Sequence, residues 1–306
     1  MRITVALLCS LLPPGALAQP PLSYEVAAGW PQLTPDIKMG PAMAVSVDAG
    51  GHIWVYNRGS HPVLQLDKSG KVLQAWKEDG AYTLHAKSAH GMRIAPDGSV
   101  WLVDREAQQV LKYTPQGEGR LALGGFAARA GGNEARYLFN RPTNVAFDRQ
   151  GNAYVGDGYV NSRVVKYSPD GAYLLHWGEP GGGGGEFKLV HDVTIDAQDL
   201  VYVADRGNQR IQVFDPNGRF VAKWENIGVP WGIAYDRWRN VIWMCDGDNG
   251  RLSKLSMKGE VLGALGANGA APGQFSQAHY LDVDAEGNVY VGETKNERVQ
   301  KFAPKR

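Results

Sequence analysis

Three histidines of this chain occupy equivalent places. His90 falls in AHGMRIAPDGSVWLVDR, His191 in VHDVTIDAQDLVYVADR and His279 in AHYLDVDAEGNVYVGET. Each stands eight residues ahead of the turn that joins two short apolar runs, in a chain with only seven histidines. Neutral imidazole is the commonest protein ligand of transition metals. Three imidazoles meeting at one point supply the protein part of a tetrahedral site whose fourth position stays open, the arrangement of catalytic rather than structural zinc. Ligand type alone puts zinc first and leaves iron, nickel and copper as alternatives.

The segments that carry these histidines are copies of one unit. Six stretches, starting at MAVSVDAGG, MRIAPDGS, VAFDRQGN, VTIDAQDL, IAYDRWRN and LDVDAEGN, share an alternating run, a D-x-x-G-type turn and a run of the xVYVxD kind. A polar turn then leads to RVVKY or RIQVF, and a PDG-type turn leads to a final amphipathic run. Four short antiparallel strands recurring at this period predict the blade of a β-propeller. The expected fold is all-β, a six-bladed propeller. The sixth copy ends before its fourth strand, and YEVAAGW at residues 24–30 resembles the missing piece, so an N-terminal strand is expected to close the ring.

Aligned on the turn, the histidine column reads Met43, His90, Thr143, His191, Trp231 and His279. First strands line the channel of a propeller, and alternate blades of a six-fold ring stand about 120° apart. His90, His191 and His279 are therefore expected to converge on the axis. A second column follows the xVYVx run: Arg58, Arg105, Gly158, Arg206, Gly247 and Thr294. Its arginines can form a basic rim that clamps a carboxylate, or can be ordinary solvated loop residues. Tyr159 adjoins this column and can act as a general base beside a metal, or simply as a wall.

Other repeated residues read as structure. Arg163, Arg210, Arg251 and Arg298 form one column and Asp104, Asp157, Asp205 and Asp246 another; both are expected to stabilise blades. GEPGGGGGEF, residues 178–187, is expected to be a flexible connector, with no strand-to-helix context for a phosphate cradle. Cys245, in VIWMCD, is expected to be a buried core thiol, and His52, His61, His85 and His176 surface or loop residues.

The net charge of +1, with no basic run, argues against nucleic acid or an anionic membrane as the main partner. Residues 1–18 read as a secretory signal peptide ending in Ala16-Leu17-Ala18, and residues 19–306 as a single propeller domain. The expected protein is exported, periplasmic or secreted, a monomer, with no membrane span. Loss of Cys9 with the signal leaves Cys245 without a partner, so no internal disulfide is expected.

These segments resemble peptidyl-α-hydroxyglycine α-amidating lyase, the lyase domain of peptidylglycine α-amidating monooxygenase, within the NHL-repeat propellers. FNRPTNVAFD, VGDGYVNSRVVKYSPDGAYLLHWG, VADRGNQRIQVF and the three histidine-bearing strand starts carry the resemblance over most of the mature chain. It implies zinc on His90, His191 and His279, a catalytic Tyr159 in the DGY motif, and active-site Arg58 and Arg206. It implies cleavage of the C–N bond of an α-hydroxyglycine-type substrate, a small molecule or peptide C-terminus, to an amide and glyoxylate. Three features depart from the family pattern. Tyr280 replaces an Asp that helps hold structural calcium, Val160 stands where a disulfide cysteine would be, and no copper monooxygenase domain is expected in the chain. Two other readings stay open: a non-catalytic NHL propeller that binds protein or glycan around a structural metal, and a lactonase-type propeller hydrolase.

Overall fold

The D-x-x-G turns work through their aspartates. Asp48 Oδ1 accepts from the Gly50 and His52 amides, each at 2.9 Å, and Asp148 Oδ1 accepts from the Asn152 amide at 2.9 Å. An aspartate that caps its own turn in this way fixes a tight hairpin without help from neighbours. The aromatic residue of the following strand returns to the same carboxylate. Tyr154, Tyr202 and Tyr290 hydroxyls donate to Asp148, Asp196 and Asp284 at 3.1, 2.9 and 2.9 Å. One carboxylate thus sets both the turn and the packing of the second strand.

Repeated six times, this unit makes a six-bladed β-propeller. The computed structural model describes residues 20–77, 86–125 and 128–305, so the expected signal peptide lies outside the described residues. Six four-stranded antiparallel sheets form the blades. Their innermost strands are Ala42–Val47, Ala89–Ile94, Pro142–Phe147, Val190–Ile195, Pro230–Asp236 and Ala278–Val283. Five blades use four consecutive strands. The sixth borrows Tyr24–Val26, which pairs with Arg298–Pro304 in the register Tyr24↔Pro304 and Val26↔Phe302. The closing strand expected from YEVAAGW is therefore present, and it covers the open edge of the last blade.

The core lies between blades rather than within them. Trp54, Tyr56 and Trp76 of the first blade pack against Met92, Leu102 and Tyr113 of the second. Cys245 is fully buried in the seam between the fifth and sixth blades, and burial pushes its thiol up, as expected of a core cysteine.

The two repeated columns of arginine and aspartate are partners. Arg163 meets Asp157 at 2.9 Å, Arg210 meets Asp205 at 2.8 Å and Arg251 meets Asp246 at 2.9 Å, while Arg298 uses Glu293 at 2.6 Å. The remaining guanidinium N–H groups grip the connector from the previous blade. Arg210 donates to the Gly182, Gly183 and Glu186 carbonyls at 2.7, 2.7 and 2.9 Å. The glycine run expected to be a flexible connector is instead pinned, because its bare backbone offers carbonyls that a planar guanidinium can fork across. Arg163 likewise reaches the Ala135 and Leu138 carbonyls at 2.6 and 2.7 Å.

Arg163 is fully buried, so its removal strands a buried carboxylate and several carbonyls. Arg163→Leu is expected to lower stability by about 3–5 kcal/mol in urea unfolding. Adding Asp157→Asn should recover part of the loss, since the leftover charge is then gone.

Candidate metal centre and active site

Every innermost strand breaks register at the histidine column. The extra residues fall at Met43, His90–Gly91, Thr143–Asn144, His191, Trp231–Gly232 and His279–Tyr280. A bulge leaves one residue unpaired and re-aims its side chain. At His279–Tyr280 two consecutive side chains both face the channel, which regular strand alternation forbids. Gly232 makes room: a Cβ there would come within 2.8 Å of the Tyr280 ring.

The three expected histidines converge. His90, His191 and His279 are all buried, with ligand nitrogens within 4.8 Å of one another. Their ring centroids lie 4.9–5.3 Å apart. Each ring is oriented by a main-chain acceptor on the next blade. His90 Nδ1 donates to the Thr143 carbonyl at 2.7 Å, His191 Nδ1 to the Trp231 carbonyl at 2.6 Å and His279 Nδ1 to the Met43 carbonyl at 2.7 Å. With the proton on Nδ1, each Nε2 carries a lone pair. Burial, first of all, holds the His90 and His191 imidazoles well below their ordinary range and His279 at about 3. The neighbouring imidazoles and the guanidiniums at the mouth add to the effect. Three neutral rings with fixed tautomers are the state a metal needs from its ligands, and a main-chain acceptor on the far nitrogen is the usual support of a metal-binding histidine.

Tyr159 closes this cluster from above. Its hydroxyl lies 3.0 Å from His90 Nε2 and 3.1 Å from His191 Nε2, so its proton points at the lone pairs. A side chain at Gly158 would run into the Val190 carbonyl, so the glycine lets the Tyr159 loop lie close on the ring. From below, the buried Tyr280 hydroxyl donates to the His191 carbonyl at 2.6 Å, and its ring stacks on His191 at 5.5 Å.

Three arginines of the second column surround Tyr159. Arg105 and Arg206 place their guanidinium carbons 5.1 and 5.8 Å from its ring centroid. Arg58 donates through Nε and Nη2 to the Ala89 carbonyl at 3.1 and 3.0 Å. Burial, with help from the Arg105 cation, lowers the pKa of Arg58. Arg105 is paired with Glu106 at 2.7 Å. Arg206 Nη1 is buried and has no hydrogen-bond partner among the described residues. The group is a cationic cup over neutral imidazoles, suited to an anion.

Beneath Tyr280 the axis is filled by Arg93. Its guanidinium reaches the Ile233 carbonyl at 2.8 Å and the Leu281 carbonyl and Asp192 at 3.4 Å, so one side chain touches the fourth, fifth and sixth blades. Sequence reasoning gave no role to Arg93, Tyr280 or Trp231, although Trp231 stands in the histidine column. The histidines set aside stay outside the centre. His52 is bound to Asp48 at 3.0 Å, His61 is a buried loop residue beside Ser60, and His176 lies 2.8 Å from the Tyr173 hydroxyl. His85 lies outside the described residues.

Comparison with known proteins agrees with this architecture. The NHL repeat model matches residues 187–214. Peptidyl-alpha-hydroxyglycine alpha-amidating lyase 1 of Drosophila melanogaster is 28% identical over 92% of the chain, and the chain spans 60% of that protein. The resemblance to amidating lyases read from the motifs is thus matched across most of the chain. Among solved structures, XC5397 of Xanthomonas campestris, described as a gluconolactonase, superposes with a TM-score of 0.65 at 14% identity, covering 96% of this chain and 99% of that one. At that identity the likeness shows the fold alone. Human NHL repeat-containing protein 3 is 31% identical, covering 92% of this chain and 84% of the human protein. The chain belongs to the NHL-repeat family of β-propeller proteins.

Proposed function

We propose that this chain is an exported, zinc-dependent lyase that cleaves the C–N bond of an α-hydroxyglycine-type substrate, giving an amide and glyoxylate. One observation carries the reading: three neutral, tautomer-locked imidazoles share their Nε2 face with the Tyr159 hydroxyl, at 3.0 and 3.1 Å, below an arginine cup. A site that served only to hold the ring together would not need that hydroxyl and those cations at its open side. The relatives named as amidating lyases support the same class of chemistry.

His90, His191 and His279 would hold the metal. Bound zinc would supply Lewis-acid polarisation of the substrate hydroxyl. Tyr159, within reach of the same point, takes the hydroxyl proton as it gives its own phenolic proton to the departing nitrogen, and the carbonyl of glyoxylate forms. The carbon–nitrogen bond breaks, and the departing nitrogen receives a proton to become the amide, so protons balance. Arg206 and Arg58 hold the carboxylate, which stays on the glyoxylate half throughout. The position of Tyr280 does not fit calcium, because it presents a hydroxyl donor to the His191 carbonyl and no carboxylate. Calcium therefore has no part in the proposal. Export rests on the character of residues 1–18, and the substrate is a small molecule or a peptide C-terminus.

A second reading stands beside the 31% identity to NHL repeat-containing protein 3, whose name carries no activity. In it, the propeller is a binding module and its metal is structural.

The two readings part in one experiment. Purified mature protein should contain about one zinc per chain by plasma mass spectrometry, and His191→Ala should contain little. Wild type should release glyoxylate from α-hydroxyhippurate. Zinc without turnover on this or any related hydroxyglycine would favour the binding module. No transition metal in fresh wild type would overturn both.

Tyr159→Phe separates base from ligand. Its zinc content should match wild type, while kcat falls by roughly 10²–10⁴-fold. Unchanged turnover would reduce Tyr159 to a wall residue.

A further inference from the structure

Among the described residues, Arg206 meets two rings and pairs with no acid. Its guanidinium carbon lies 4.2 Å from the centroid of Trp231 and 5.8 Å from that of Tyr159. Among the described residues, Arg206 Nη1 is buried without a partner. A buried N–H without an acceptor is costly unless something else arrives to accept from it.

Trp231 is itself held at several points. Its indole N–H donates to Asp248 Oδ1 at 3.0 Å. Its ring packs against His191 and His279 at 5.4 and 5.8 Å. It sits on the bulge of the fifth blade, and its carbonyl accepts from His191 Nδ1. Gly247 leaves the space the indole needs, since a Cβ there would lie 2.6 Å from the indole carbons. Gly247 stands in the column that elsewhere carries Arg58, Arg105 and Arg206. The fifth blade thus gives up an arginine at the rim and supplies the flat surface on which its neighbour's arginine lies.

We propose that Trp231 is a positioning residue that holds Arg206 flat at the metal mouth, with one N–H edge directed to a substrate carboxylate. The proposal rests on the carboxylate-binding part of the function proposed above, and not on turnover. A guanidinium ordered in advance loses less freedom when it captures a planar oxyanion, and stacking on an indole face leaves its in-plane N–H groups available. Trp231 has no ligand atom; its carbonyl orients His191 and its ring packs against His191 and His279, so zinc content is measured beside binding in every variant.

The test is calorimetric binding of hippurate and of its neutral counterpart hippuramide to zinc-loaded protein. Wild type should prefer hippurate. Trp231→Leu should weaken hippurate roughly tenfold and leave hippuramide unchanged. Trp231→Phe, which keeps an aromatic face, should retain most of the preference. A merely structural role would weaken both ligands together or lower zinc content. If Trp231→Leu fails to fold, Gly247→Ala crowds the indole and should produce the same selective loss. A hippurate preference unchanged in Trp231→Leu, or in Gly247→Ala where that variant stands in, overturns the proposal. So does wild type that shows no preference. If wild type releases no glyoxylate from α-hydroxyhippurate, yet Trp231→Leu still loses the hippurate preference, the lyase reading fails and the positioning role stands.

Discussion

The centre depends on one hydrogen bond used three times: an imidazole Nδ1–H donated to the main-chain carbonyl of the next blade. Even-numbered blades supply histidines and odd-numbered blades supply acceptors, at Met43, Thr143 and Trp231. A six-fold ring is thereby read as a three-fold one. The acceptor needs no particular side chain, so odd positions of the column are free to carry other functions. The third of these bonds, from His279 to Met43, crosses the seam between the last blade and the first. The Tyr24–Val26 strand that completes the last blade therefore also supports the geometry of a ligand some distance along the chain.

Charge is layered along the axis. The arginine cup lies above, the imidazole layer is neutral, and below it Arg93 lies among the carboxylates of Asp192 and Asp282. Burial dominates here too. It pushes Asp192 up to about 6 although Arg93 is near and Asn144 donates to it at 2.7 Å. Asp282 is raised for the same reason, against hydrogen bonds from the Val47 amide and the Ser46 hydroxyl at 2.8 and 3.2 Å. The lower layer draws its cation from the chain itself, and Tyr280 separates it from the histidines.

The blades and the three histidines were legible because the repeats preserve distance from the turn, and a fixed distance on a channel-lining strand means a fixed height on the axis. Other features were hidden for physical reasons. Tyr280 follows His279, and period-two reasoning places it on the opposite face; only the bulge brings it to the axis. The arginine and aspartate columns were visible separately, but their pairing, and the grip of Arg210 on the glycine-run carbonyls, involve backbone acceptors that no residue type announces. Trp231 occupies the right column, but it has no ligand atom, so residue type alone does not mark it. Arg105 was visible in its column, yet only the folded loops show that it lies over the Tyr159 ring.

Tyr280 and Arg93 give the propeller a floor. The imidazole layer and the arginine cup share one side of that floor, so anything that reaches the histidines from the cup must leave past the same guanidiniums. In a reaction that splits one anionic molecule into a neutral half and an anionic half, traffic through a single cationic doorway has an order. The neutral half would meet no opposing attraction on its way out, and the anion would be the last to go. Under the proposed reaction, the floor beneath the histidines would also set the sequence in which the site is vacated.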